Sequence, residues 1–325
     1  TGHDRNPQRE TRIWKVSVGV GEPQDLGLVV DGLSHISLHP DGNKIAFTTM
    51  SKNETSAMKG IWTLKDFLPP LDDKRVTNKP TASTPQRRRV WAGADNTPGE
   101  SLDPTTGGVS PDGRYFTGLT WSDGNLVTRD LTTGHQQYVT NGSGDLKEGY
   151  AYYSKPSPDG KQIAYTWSLG SEGKSQLRVI DVDSGHVELL YDNPDGAFIY
   201  PRAWSRDGET IVAFLQTDTT AGQIGLFSVS DRTHRILRSL DWRWPATTDL
   251  SPDGKFIVYD AGLSDDSPDR DVFLLATDGT GDEVPLEHPA IDSHPLWTPD
   301  GRGIVFVSDR GGSESLWYQQ VTEGK

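Results

Sequence analysis

Short apolar strands, each opened by a tight polar turn, follow one another along this chain, and the turn keeps nearly the same letters in six places. His39-Pro40-Asp41-Gly42 leads into Lys44-Ile45-Ala46-Phe47, and Ser110-Pro111-Asp112-Gly113 into Tyr115 to Leu119. Ser157-Pro158-Asp159-Gly160 leads into Gln162 to Tyr165, and Ser205-Arg206-Asp207-Gly208 into Thr210 to Phe214. Ser251-Pro252-Asp253-Gly254 and Thr298-Pro299-Asp300-Gly301 complete the set, before Phe256 to Tyr259 and Gly303 to Phe306. Pro presets φ, Asp can bond the local backbone, and Gly takes a positive φ. Arg206 loses only the preset φ, so the fourth turn is expected to survive.

Successive turn glycines are 71, 47, 48, 46 and 47 residues apart. A steady period near 47 suits a four-stranded propeller blade. The rest of each unit supplies a third strand (Gln176 to Asp181, Ile224 to Val229) and an outer one (Val187 to Leu190, Arg235 to Leu237). A lone blade cannot cover both its faces, and stacking around an axis does. The pattern predicts one all-β domain over residues 1–325: a six-bladed β-propeller of four-stranded antiparallel blades, closed by an N-terminal strand. A seven-bladed or partial ring is the alternative. The wide first spacing predicts a long loop or linker over residues 68–86, with Arg88 to Trp91 as the outer strand of the first blade. Arg12 to Val18 resembles a third strand and Gln24 to Leu28 a fourth, so one strand is in surplus; closure by residues 23–30 is the preferred arrangement.

Composition narrows the partners. Hydrophobic residues make up 33% and mean hydropathy is −0.60, so 10 Trp and 10 Tyr must fill much of the core. The net charge of −14 opposes phosphate backbones and excludes nucleic acid as the expected partner. The basic run Arg87-Arg88-Arg89 reads on its own as a solvated linker segment. There is no Cys, hence no disulfide or thiolate site, and no apolar run long enough to insert in a membrane. Thr1 to Asn6 carries no apolar leader segment; a chain without a leader and one shown after its removal both fit.

Leu296-Trp297-Thr298-Pro299-Asp300-Gly301, continued by Ile304 to Gly312, resembles the TolB-like propeller repeat, as do Ser157 to Tyr165 and Ser251 to Tyr259. The resemblance covers residues 34–325. It implies a bacterial, periplasmic or extracellular protein that presents one face or its central channel to partners. Such propellers include a periplasmic scaffold, sensor domains and the non-catalytic propellers of prolyl-oligopeptidase-like enzymes. It supplies no catalytic residues.

No nucleophile elbow, phosphate loop or zinc helix motif is present; Gly107 to Gly113 only approaches the first, and its Ser110 belongs to the turn. His35 and His294 begin equivalent inner strands, and with His288 they are candidates for a divalent metal in the channel, against ordinary polar lining; no cofactor is expected. Asp265 to Asp271 is a calcium candidate but reads better as a solvated acidic loop. Asp241-Trp242-Arg243-Trp244, with Tyr150, Tyr152, Tyr153, Phe198, Tyr200 and Trp204, outlines an aromatic rim, for which blade-to-blade packing is the plainer account. The candidate ligand-binding residues are His35, Tyr153, Tyr200, Trp242, Arg243 and His294. The expected function is a monomeric, non-catalytic scaffold for a protein or peptide partner. The alternatives are a polysaccharide lyase or glycosidase at the channel mouth, taking a saccharide, or the propeller that gates a hydrolase encoded outside this chain.

Overall fold

In the computed structural model the strands between residues 10 and 103 are described by their backbone. Residues 106–321 are described with side chains, apart from 194–197, 218–221, 241–242, 264–268, 281, 287 and 313, and apart from 171, described by its backbone alone. The strands in chain order begin with β1 (Glu10–Lys15), β2 (Gln24–Asp31), β3 (Leu33–Leu38), β4 (Lys44–Ser51), β5 (Met58–Lys65) and β6 (Arg87–Ala92). Then come β7 (Leu102–Asp103), β8 (Tyr115–Thr120), β9 (Asn125–Asp130), β10 (Gln136–Tyr138), β11 (Tyr150–Pro156), β12 (Gln162–Ser168), β13 (Ser175–Asp181) and β14 (Val187–Asp192). The remainder are β15 (Ile199–Trp204), β16 (Thr210–Gln216), β17 (Gly222–Ser228), β18 (His234–Ser239), β19 (Thr248–Leu250), β20 (Phe256–Gly262), β21 (Arg270–Ala276) and β22 (Val284–Pro285), then β23 (Asp292–Trp297), β24 (Gly303–Ser308) and β25 (Ser315–Gln320).

These strands form six sheets: β3 to β6, β7 to β10, β11 to β14, β15 to β18, β19 to β22, and a sixth that joins both ends of the chain. The first five are four-stranded meanders in chain order, as the repeat demands. Inner strands of successive sheets lie side by side from β11 through β15 and β19 to β23, and β23 adjoins β3. The all-β propeller read from the repeat is therefore the fold.

Closure differs from the preferred expectation. The order in the sixth sheet is β23-β24-β25-β1-β2, so the fourth position belongs to β1, parallel to β25 through Arg12 and Ser315. β2, which holds most of residues 23–30, pairs antiparallel with β1 and lies outside it as a fifth strand. A hairpin carries its own register, so β1 and β2 dock together and the surplus strand finds a place without an extra blade. Arg87 to Arg89 lie in β6, paired with β5, so the solvated-linker reading of that run gives way to the outer strand. Residues 68–86 lie outside those described.

Second strands are the buried layer. Every residue of β24 is buried, and β16 and β20 are buried through their centres. Bulky rings fill the gaps between blades: Tyr165, Phe214, Tyr259 and Phe306 are almost fully covered, each worth roughly 1.5–3 kcal/mol of apolar burial. Polar ties cross the same gaps. The Tyr115 hydroxyl donates to the Gly160 carbonyl (2.9 Å), and the Trp204 indole N–H to the Lys155 carbonyl (3.0 Å).

Every described copy of the turn is locked in the same way, and the lock includes a residue ahead of the Pro-Asp-Gly letters. Ser157 Oγ donates to Asp159 Oδ1 (2.7 Å) and accepts the Gln162 amide (2.9 Å), while Asp159 Oδ1 also takes the Lys161 amide (3.0 Å). Ser205–Asp207, Ser251–Asp253 and Thr298–Asp300 repeat the first of these bonds at 2.6, 2.7 and 2.6 Å. The fourth turn closes without its proline, as expected: the Gly208 amide donates to the Ser205 carbonyl at 2.9 Å.

These bonds favour the charged carboxylate. At Asp207 the Ser205 hydroxyl, then the Glu209 amide, hold the carboxyl below its usual range, and at Asp253 the Ser251 hydroxyl leads. At Asp112 and Asp159 burial works the other way and is outweighed by the same hydrogen bonds. A depressed folded pKa stabilises above the unfolded value and is lost as pH falls through the folded one. Thermal unfolding against pH should therefore show stability declining below about pH 4, and a Ser251→Ala/Asp253→Ala chain should lose less than wild type over that window.

Candidate functional site

The inner strands enclose a central channel with a cavity of about 520 Å³, within the size range of ligand sites. Its walls come from β11, β15, β19 and β23 and from the Thr106 to Val109 segment. Each inner strand runs into its Ser/Thr turn, so chain direction orders the channel from end to end. The residues farthest from the turns form one mouth, and the prolines of the turns form the other.

A recurring irregularity aims side chains within this frame. The β11–β12 register slips between Tyr152 and Ser154, leaving Tyr153 as the extra residue. On β15 the slip leaves Arg202, on β3 it leaves His35, and on β23 it spans His294. A β-bulge turns its extra residue out of the ladder and commonly re-aims a side chain at a site. His294 takes φ 55°, a left-handed conformation uncommon for a residue with a Cβ.

On the side away from the turns an aromatic row runs to the cavity, which Tyr153 lines. Ring centroids of Trp121 and Tyr152 are 5.9 Å apart, Tyr152 and Tyr153 4.4 Å, Tyr153 and Tyr200 4.7 Å, and Tyr200 and Trp244 5.2 Å. Most of these contacts are edge-on, the favoured geometry for such rings. Trp121 is 42% and Trp244 37% exposed, so the row opens to solvent at both ends, while Tyr200 is buried. Arg202 lies beside the row, its Cζ 5.6 Å from the Tyr153 ring and 5.4 Å from that of Tyr200.

The middle is charged. Lys155 and Asp249 each stand two residues ahead of their turn serine, in the same layer of the channel, with Gly108 and Ala203 as the small members of that layer. Asp249 accepts the Leu250 amide (3.0 Å) and the Trp297 amide (2.9 Å). Arg202 donates to the carbonyls of Ala246 and Pro245, both at 3.3 Å, and its Nε is buried without a partner among the described residues. The Lys155 ammonium makes no hydrogen bond or ion pair among the described residues, although it feels the charges of Arg202 and Asp249.

These three groups line the cavity, and the surrounding protein strips part of their hydration. Burial first, then the Arg202 charge, lowers the Lys155 ammonium to about 8, with Asp249 opposing. Burial raises the Asp249 carboxyl to about 6, against the two amides and the Lys155 charge. Burial likewise lowers Arg202. Both titratable shifts work against stability at neutral pH. The cost of charged Lys155 is fully present below about 8 and fades as pH rises toward its unfolded value, while that of Asp249 is present above about 6. Lys155→Met should therefore raise the melting temperature at pH 7 by about 1–3 °C, and the gain should shrink toward pH 10. Differential scanning calorimetry at the two pH values checks this.

The far mouth is ringed by Pro111, Pro158, Pro252 and Pro299. In the fourth turn Arg206 takes the proline's place, and its guanidinium donates to the Pro299 carbonyl at 2.8 Å, reaching from the fourth blade's turn to the sixth's.

Of the residues singled out by sequence, Tyr153 lines the cavity and its ring meets the buried ring of Tyr200. Arg243 lies apart, in a bidentate pair with Glu283 (2.7 and 2.9 Å) that ties the β18–β19 connection to the approach to β22. Trp242 lies outside the described residues, as do Asp265 to Pro268, and His35 is described by its backbone alone. His294 Nδ1 bonds Ser293 Oγ (3.1 Å), and His288 Nδ1 accepts the Ala290 amide (3.0 Å). Among the described residues no group of three or more His, Asp or Glu side chains is arranged to hold a metal. Trp204 serves blade packing with Ile211 and Phe227. Sequence reading missed Lys155, Arg202 and Asp249; the shared distance of Lys155 and Asp249 from their turn serines is a signal that could have found those two, whereas Arg202 stands one place farther from its own.

No protein-family profile matches the chain. It is 30% identical to dipeptidyl-peptidase 5 of Porphyromonas endodontalis over 236 residues, covering 66% of this chain and 31% of that protein. It is 30% identical to a TolB homolog of Chlorobium luteolum over 129 residues, 38% of this chain and 27% of that protein. The chain thus spans less than a third of the length of either. TolB of Acinetobacter baumannii superimposes with a TM-score of 0.58 at 18% identity, over 86% of this chain and 61% of that one. Oligogalacturonate lyase of Vibrio parahaemolyticus does so at 0.53 and 15% identity, over 98% and 99%. At such identities the likeness is one of fold. Among the described residues no helix is long and apolar enough to cross a membrane.

Proposed function

Because the chain is a β-propeller of TolB-like fold, with the repeat to match, we propose that it is a non-catalytic scaffold whose central channel receives a protein or peptide segment. The observation that carries this reading is the joined site: an aromatic mouth leading to under-paired charged groups in a cavity of about 520 Å³. Aromatic rings give a peptide apolar contact at low entropic cost, and polar groups deeper in fix its register. Tyr153 and Tyr200 are its contact residues, with His35, Trp242, Arg243 and His294 as further candidates, and the setting is periplasmic or extracellular. The test is capture from native extract with a photo-crosslinking residue in place of Trp121. A partner cross-linked there supports the reading, and a partner that cross-links only from the outer strand residue Val187 contradicts it.

A second reading has its own observation. The chain matches dipeptidyl-peptidase 5 over 236 residues yet spans 31% of it. A propeller that admits short peptides to a hydrolase encoded beyond this chain would use the same channel. The complete gene decides: a following α/β-hydrolase segment favours the gate, and its absence favours the free-standing scaffold.

A further inference from the structure

We infer that the channel binds its peptide by a carboxylate, held between Lys155 and Arg202. This rests on the reading of the channel as a peptide site and names the chemistry that the peptide must bring.

The charge count in the channel runs against that of the whole. The chain carries −14, yet among the described residues the middle of the channel sets Lys155 and Arg202 against the one carboxylate of Asp249. Asp249 does not cancel either cation. Its oxygens are taken by the Leu250 and Trp297 amides, and no ion pair joins it to Lys155 or Arg202 among the described residues. Lys155 keeps all three ammonium donors unused among the described residues. Arg202 spends its outer nitrogens on two long bonds to carbonyls, and its Nε is unpartnered. Buried polar groups are ordinarily satisfied, so the buried Arg202 Nε, with the Lys155 ammonium lining the same cavity, marks a place reserved for something. An anion is the group that both cations can share, and Arg donors match a carboxylate's two oxygens.

The surroundings favour a carboxylate carried on a chain over a free ion. The cavity is far larger than one ion needs. Gly108 and Ala203 leave room in the layer of Lys155 and Asp249. The rings of Tyr153 and Tyr200 flank Arg202 on the side of the open mouth, where the residue before the carboxylate would rest. Arg206 crosses the opposite mouth, so a segment enters from the aromatic end with its carboxylate leading.

The charged neighbours give the site a pH signature. Tyr153 and Lys155 face it from β11, Arg202 from β15 and Asp249 from β19; Asp159 and Arg206 stand at the turn end, and β23 contributes the uncharged Leu296 to Pro299. Net charge of Lys155, Arg202 and Asp249 together is then two positive below about pH 6, one positive near 7, and none above about 8. Carboxylate affinity falls with rising pH in those two steps.

The probe is a fluorescently labelled random tetrapeptide pool, prepared as free acids and as carboxamides, titrated into the full chain by fluorescence polarisation. Citrate is the small-carboxylate probe, read by its shift of the melting temperature. The free-acid pool should bind at least tenfold better than the carboxamide pool, and Lys155→Met and Arg202→Met should each abolish the difference while melting cooperatively. Affinity should fall about tenfold from pH 7 to 9. Equal binding of the two pools overturns the carboxylate and leaves the peptide reading standing. If neither pool binds but citrate stabilises wild type and not the two variants, the carboxylate site stands and the peptide reading falls. If neither peptide nor citrate acts, both are overturned.

Discussion

Gly107→Ala is expected to destabilise the propeller by about 3 kcal/mol or more, a magnitude reserved for buried clashes with no room to relax. A Cβ at Gly107 would stand 1.7 Å from the Thr117 carbonyl oxygen and 2.4 Å from its carbon. Both atoms are backbone, in a strand whose six residues are all buried, so neither can swing away. The close approach lets the inner wall of the second blade lie directly against β8. Gly113→Ala is the matched control. Nothing stands within 4 Å of its Cβ site, but its φ is +70°, and the left-handed conformation alone costs roughly 1–2 kcal/mol. Urea midpoints of the two variants should therefore separate clearly, with Gly107→Ala far lower.

The neighbouring glycine should behave in the opposite way. Gly108→Leu is expected to fold with a stability within about 1 kcal/mol of wild type, yet to close the channel to its ligand. A Cβ at Gly108 would meet the Pro156 Cδ at 3.4 Å and the Lys155 Cδ at 3.7 Å, ordinary contacts, and the backbone is not left-handed. The larger side chain then projects over the Lys155 stem, into the layer that Gly108 and Ala203 keep open. Two adjacent glycines thus separate the frame from the proposed site: one is small because a strand lies against it, the other, on the proposed reading, because a ligand needs the space.

The repeat made most of the frame legible. Pro-Asp-Gly spacing located the hairpins, and its one departure, Arg206, was rightly read as harmless to the turn. The preceding Ser or Thr was visible in every described copy, but only the bonds from Ser157 and its counterparts show it to be part of the lock. Closure was not legible, because β1 and β2 both look like ordinary strands and only pairing distinguishes a fourth position from a fifth. The aromatic mouth could be outlined because rings are conspicuous. Lys155, Arg202 and Asp249 could not, since a lone charge in an alternating strand reads as a solvent-facing residue. The bulges that re-aim Tyr153 and Arg202 leave no mark in the alternation, and they shift Arg202 by one place relative to Tyr153 when both are counted from the turn serine.

The central claim is that this propeller binds through its channel and not by its outer surface. The most direct measurement is calorimetric titration of a peptide, selected by display on the full wild-type chain, into wild type and Gly108→Leu. Loss of at least about 100-fold in affinity, or about 2.7 kcal/mol, is the expected result. Affinities within about threefold of each other would place the binding elsewhere on the ring and contradict the account.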